Sequence, residues 1–148
     1  MTGTPTEKPY LRGASDWAAD QAERYEESNG QEANTLQGVP IMLVSTTGRK
    51  TGALRRTPLM RVEHEGSYAA IASKGGAPEH PVWYLNILAD PTVTVRDGAT
   101  VRTCHAHVAE GDERAAWWER AIAVWPAYAD YQTKTDRQIP VVVLDPID

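Results

Sequence analysis

Three stretches of the chain have residue types and spacings that could do chemistry. The first is Ser45-Thr46-Thr47-Gly48-Arg49-Lys50-Thr51-Gly52, followed by the doublet Arg55-Arg56. Its glycines permit positive φ and expose backbone N–H groups, while Arg49 and Lys50 add charge; together these features can bind an anion. The second is Ser73-Lys74-Gly75-Gly76, a hydroxyl and an ammonium beside a glycine pair. The third is Trp125, Tyr128 and Tyr131, whose three-residue spacing puts them on one helix face. That face is either a core stripe or a stacking wall for a planar ligand, with the Tyr128 hydroxyl as hydrogen-bond or proton donor. Trp83 is a candidate second wall.

The charge is unevenly spread. Residues 45–76 hold six of the fifteen Lys/Arg and two acids, Glu63 and Glu65, so this segment is +4 in a chain of net charge −5 and the remainder is −9. A cationic, glycine-rich island on an acidic protein suits phosphate or a polycarboxylate, although a basic hairpin tip in solvent has the same composition. The turn joins two strands, not a strand and a helix, so it is not a P-loop. The overall acidity argues against general nucleic-acid binding. A single cysteine, Cys104, excludes an intrachain disulfide and a multi-cysteine metal site. His105 and His107 share a strand face but lack a third ligand at a sensible spacing, and His64 and His80 add none, so no metal is expected. No Gly-x-Ser-x-Gly elbow supports a serine hydrolase.

These residues need elements to position them. At 148 residues the chain is expected to form one barrel domain over 36–148, preceded by a flexible arm and helix over 1–35. Ser15 or Asp16 can cap a helix that ends near Asn29-Gly30, with Trp17, Ala18, Ala22 and Tyr25 as its apolar stripe. Its polar face lacks the Lys/Arg of a membrane-lying helix, so it is expected to pack on the body. Strands are expected over 41–45, 54–62, 68–73, 92–96, 99–109 and 139–144, joined by turns at Glu65-Gly66 and Asp97-Gly98. Helices are expected over 82–89, 110–125 and 128–133, with Pro126 as the break. The pattern is α+β: a split β-barrel of about six mainly antiparallel strands with three to four flanking helices. If the first three strands form a meander, Arg49, Lys50 and Lys74 converge on one sheet edge. No apolar run approaches the roughly 20 residues that cross a bilayer. A cytoplasmic protein, at most weakly membrane-associated, and a monomer or homodimer, is the expectation.

The order of several separated motifs resembles the deazaflavin-dependent nitroreductase family, whose members use coenzyme F420. The motifs are Ser-Thr-Thr-Gly-Arg-Lys-Thr-Gly from 45, Ala-Ser-Lys-Gly-Gly-Ala-Pro-Glu-His-Pro-Val-Trp-Tyr-Leu-Asn from 72, Asp-Pro-Thr-Val from 90, and Tyr-Ala-Asp-Tyr-Gln-x-Lys-Thr-Asp-Arg-x-Ile-Pro-Val from 128. The likeness spans about residues 36–146 and implies a split β-barrel. It implies that Arg49, Lys50, Thr51 and Gly52 hold the phosphate region of F420, with Leu43, Val44, Ser45, Ala53 and Leu54 lining the approach. Ile71, Ala72, Ser73 and Lys74 would follow the deazaflavin and its linker. Trp83 and Tyr128 would border the ring, and Trp125, Tyr128 and Tyr131 the substrate. The implied activity is hydride transfer from reduced F420 to a small-molecule quinone, activated enone or nitroaromatic, with Tyr128 and Ser73 as catalytic groups. Trp125 stands where the nitroimidazole-reducing branch has tyrosine, which narrows the pocket and removes a hydroxyl. A non-catalytic F420 carrier and an FMN-dependent oxidoreductase are the competing readings.

Overall fold

A segment that pairs at both ends closes the sheet. The computed structural model describes residues 10–12 and 15–148, so the arm expected over 1–14 lies outside the described residues apart from Tyr10, Leu11 and Arg12. In chain order come α1 (Asp16–Glu27), β1 (Thr35–Leu36), β2 (Val39–Thr47), β3 (Leu54–Met60), β4 (Glu63–His64) and β5 (Ser67–Ile71). A single 3-10 turn (Lys74–Gly76) leads to α2 (Val82–Ala89), β6 (Thr92–Asp97) and β7 (Thr100–Val108). The chain ends with α3 (Gly111–Val124), α4 (Ala127–Thr133) and β8 (Val141–Pro146). Strand neighbours run β1-β2-β6-β7-β8-β5-β4, and β3 also pairs with β2.

Residues 54–64 bridge the two ends of that order. β3 pairs with β2 from Thr47↔Leu54 to Ile41↔Met60. The chain then turns through Arg61 and Val62, and β4 pairs with β5 at Glu63↔Tyr68. The Val62 carbonyl accepts the Ala69 N–H at 2.9 Å, which continues the seam. The result is the α+β split barrel expected from the sequence. Two of the eight strands, β1 and β4, are only two residues long, too short for periodicity to reveal.

The expected meander of the first three strands is corrected. β5 lies beside β8 along Ala69↔Val143 and Ile71↔Val141, and meets the preceding chain only at the β4 end. The cause is local: the 54–64 segment bends away from β2, and the C-terminal strand takes the free edge of β5.

Alternation along the strands sorts side chains into two layers. Met42, Val44, Tyr68, Ala70, Val95, Cys104 and Leu144 form the barrel interior, against Trp83, Tyr84 and Ile87 of α2. Ala69, Ile71, Val141 and Val143 face outward and pack on Trp117, Ala121 and Tyr128 of α3 and α4. β8 is therefore covered on both faces, which accounts for its continuous apolar run.

α1 packs on the outside of β2, with Ala22 and Tyr25 on Ile41 and Leu43. The Tyr25 hydroxyl accepts the Gly98 N–H at 2.6 Å, and its own proton faces the Arg96 and Ile41 carbonyls at 3.3 and 3.4 Å. Beside it, Glu26 pairs with Arg96 at 2.8 Å. Among the described residues no helix is long and apolar enough to cross a membrane.

Removing the Tyr25 hydroxyl leaves the Gly98 N–H without its acceptor. Tyr25→Phe is expected to lower unfolding stability by about 1–3 kcal/mol, measured by urea denaturation.

Candidate active site

The C-terminal end of β5, the start of α2 and the length of α4 meet around one cavity of about 470 Å³. Ile71, Ser73, Lys74, Trp83, Trp125, Tyr128 and Tyr131 all line it, with Thr57 and Pro58 of β3 and Trp17 of α1. The structure thus gathers the second and third chemistry-bearing stretches into one place. The aromatic wall is built by α4, where Tyr128 and Tyr131 stand edge to face with ring centroids 6.1 Å apart. The Trp125 indole N–H donates to the Tyr131 hydroxyl at 3.3 Å, so Trp125 fixes that tyrosine in place. Burial first, then the neighbouring Tyr131, push the Tyr128 hydroxyl well above the usual phenol range. Tyr128 therefore stays protonated at neutral pH, a weaker acid than free tyrosine.

A second, smaller hollow of about 190 Å³ continues from the first, and the two share Ser15, Ala18, Thr57, Pro58 and Trp83. Its far end carries Arg55, Arg56 and Asn86. The Arg56 Nε is buried without a hydrogen-bond partner. Arg56 stacks on Tyr10 with its guanidinium carbon 4.5 Å from the ring centroid, and its nearest recorded carboxylate, on Glu26, is 3.8 Å away. This end is cationic, with Arg56 shared between the hollow and Glu26.

The β2–β3 turn is docked against the same end. Asn86 is buried, accepts the Arg49 N–H at 3.1 Å on its side-chain oxygen and donates to the Thr46 hydroxyl at 3.4 Å. The turn closes on itself through Gly48 N–H to Ala53 carbonyl at 2.7 Å and Ala53 N–H to Thr51 hydroxyl at 3.1 Å. Arg49, Lys50, Thr51 and Gly52 stay exposed at the lip and line neither hollow.

Not every expected site residue is brought here. Lys74 does not join Arg49 and Lys50; it lines the aromatic cavity and pairs with Glu79 at 3.0 Å, which holds the Glu79 carboxyl below its usual range. Leu43 is buried against α1, while Val44 and Ala72 are buried in the barrel core, and none of the three lines either hollow. Ser45 and Leu54 lie on the outer face of the sheet, beside Glu26, Arg56 and Arg96.

Sequence reasoning missed two supporting residues. Asn86 ties the basic turn to α2. Arg137 binds the carbonyls of Ala72, Ser73 and Ala77. Neither carries a sequence signal of its own: both sit in motifs where the aromatic and glycine residues are more conspicuous. The glycine pair does have a physical requirement. Lys74, Gly75 and Gly76 follow one another at φ 46, 64 and 87°. A Cβ on Gly76 would lie 2.7 Å from the Tyr131 carbonyl oxygen and 3.0 Å from the Lys134 Cβ. Only glycine lets α4 approach the turn this closely.

An elongated groove, flat and aromatic at one end and cationic at the other, invites comparison with known proteins. The sequence profile of the F420H(2)-dependent quinone reductases matches residues 17–146. The chain belongs to that family. Among its F420H(2)-dependent quinone reductase relatives is one from Mycobacterium tuberculosis, 36% identical over 126 residues that cover 81% of this chain and 83% of that protein. A solved F420-H2 dependent reductase is 54% identical with a TM-score of 0.69, covering 72% of this chain and 94% of the other. A structure described as a domain-swapped dimer is 48% identical with a TM-score of 0.71, covering 90% of this chain and all of that one.

For this F420H(2)-dependent quinone reductase family member, Gly76→Ala is expected to push α4 from the turn and cost about 1–3 kcal/mol of stability, read from thermal unfolding. The pH profile should carry no step from Tyr128: between about pH 6 and pH 9 the phenol remains neutral, so Tyr128→Phe is expected to leave the shape of the profile of F420 oxidation unchanged.

Proposed function

We propose that the continuous groove between α1, β3, α2 and α4 is the active site of a reductase that uses reduced F420 to reduce a small electrophilic molecule, with a quinone as the substrate class. The observation that carries this reading is the pairing of an aromatic cavity with a cationic mouth in one groove. The residues fit such a coenzyme: an elongated ligand with a planar ring and an anionic tail needs stacking surface at one end and spare N–H donors at the other. Trp83 and Tyr128 supply the first, and the guanidinium of Arg55, which lines the far hollow, supplies the second.

Bound reduced F420 supplies a hydride from C5 of its deazaflavin ring. The remaining tasks fall to the chain. Arg55 and Arg56 hold the phosphate end, and Arg49 and Lys50 at the lip attract the more distant carboxylates. Trp83 and the α4 aromatics orient the planar partners and exclude water, which strengthens every polar contact inside. Tyr128 and Ser73 donate hydrogen bonds from Oη and Oγ to the oxygen on which negative charge develops in the substrate. The proton that completes reduction comes from solvent or from Tyr128. The domain-swapped relative supports the homodimer among the two expected assemblies.

The reading is tested by titrating the protein with F420 and with FMN, then following oxidation of reduced F420 in the presence of menadione. F420 binding with turnover is expected; FMN binding without F420 affinity, or F420 binding without turnover on any quinone, overturns it. The site assignment has its own test. Arg55→Ala and Lys50→Ala should weaken F420 binding by about tenfold at low salt, with the difference shrinking as ionic strength rises.

A further inference from the structure

We propose that Arg137 is the positioning residue that holds the two walls of the catalytic cavity in register; this rests on the reading of the groove as the active site. One wall is the segment after β5, which carries Ser73 and Lys74. The other is α4, which carries Tyr128 and Tyr131. Gly76 packs on α4, and the Ala72 N–H donates to the Pro140 carbonyl at 3.0 Å; beyond these contacts, the Arg137 guanidinium joins the segment after β5 to the α4–β8 connection.

Every nitrogen of the Arg137 fork is used. Nε donates to the Ala77 carbonyl at 2.9 Å, Nη2 to the Ser73 carbonyl at 2.8 Å, and Nη1 to the Ala72 carbonyl at 3.1 Å and to His80 Nδ1 at 3.1 Å. Three of the four acceptors come from residues 72–77, so one side chain fixes the path of the chain on both sides of the left-handed Lys74-Gly75-Gly76 turn. Arg137 is anchored in turn to α4: its carbonyl accepts from the Gln132 side-chain amide at 2.8 Å, and Gln132 also accepts the Ile139 N–H at 2.9 Å. The fork therefore links the β5 segment to the α4–β8 connection. His80 fits the arrangement as a neutral acceptor, since burial and then the guanidinium itself lower its tendency to protonate.

The four acceptors are neutral. A carboxylate partner would draw the guanidinium toward itself, whereas carbonyls fix it by direction. Lysine carries the charge but has no planar fork to reach all four acceptors at once. The Ser73 hydroxyl and the Tyr128 hydroxyl must meet the same substrate oxygen, so a shift of one wall against the other acts on turnover before it acts on coenzyme affinity. The tail of the coenzyme is held elsewhere, at Arg55 and Arg56.

The test compares Arg137→Met and Arg137→Lys with the wild-type protein in three measurements: amide hydrogen exchange without coenzyme, F420 titration, and turnover of reduced F420 with menadione. In Arg137→Met, exchange should rise across residues 72–80 and stay unchanged in β7 and β8. The kcat should fall on the order of 10²-fold while the Kd for F420 changes by less than about threefold. Arg137→Lys should recover part of the kcat. The proposal is overturned if loop exchange and kcat stay at wild-type values in Arg137→Met, or if protection is lost across the whole protein together with F420 affinity. Absence of turnover in the wild-type protein contradicts the functional reading instead, and the exchange pattern still decides the clamp.

Discussion

The constraint on which the rest depends is that residues 54–64 must pair with β2 at one end and β5 at the other. A strand that serves two neighbours in succession has to bend, and the bend at Arg61 and Val62 curls the sheet into a barrel. Once the barrel closes, its interior needs a plug, and α2 supplies Trp83, Tyr84 and Ile87. The plug brings Asn86 under the β2–β3 turn, and the turn's cations reach the lip of the groove. The same bent segment contributes Arg55, Arg56, Thr57 and Pro58 to the groove itself. Fold closure and ligand shape are thus set by one stretch of backbone.

The groove also separates two kinds of polar group. At its cationic end Arg55 and Arg56 line the hollow, and Arg49 and Lys50 project from an exposed turn. At its aromatic end, charge is quenched or absent: Lys74 pairs with Glu79, Tyr128 is held neutral by burial, and Arg137 spends its donors on carbonyls and an imidazole. An anion therefore has one place to settle, and a neutral planar ring another. This polarity gives the site a direction, with binding at one end and chemistry at the other.

Much of this was legible in the sequence because it is local. Asn29-Gly30 stops α1, Pro126 divides α3 from α4, and the β6–β7 hairpin announces itself at Asp97-Gly98. The aromatic face of α4 follows from three-residue spacing alone, and the motifs' resemblance to F420-using reductases supplied the cofactor. What stayed hidden depends on chain segments far apart in sequence. The run Ile41-Met42-Leu43-Val44 shows no alternation because both faces of β2 are covered, one by α1 and one by the core, so nothing marked Leu43 and Val44 as lying outside both hollows. The placement of β5 beside β8 depends on a pairing across some seventy residues, which sent Lys74 to the aromatic cavity and not to the turn. Arg137 reads as an ordinary charged residue in a polar loop until the carbonyls it holds are seen.

The central claim is that one groove holds the coenzyme with its ring and tail at opposite ends. A crystal structure of the protein with F420 bound tests it most directly. The account predicts the deazaflavin ring in the cavity between Trp83 and Tyr128, with its phosphate within hydrogen-bonding reach of Arg55 or Arg56. A ring bound elsewhere, such as in the hollow beside Tyr25, Arg61 and Asp97, would contradict it.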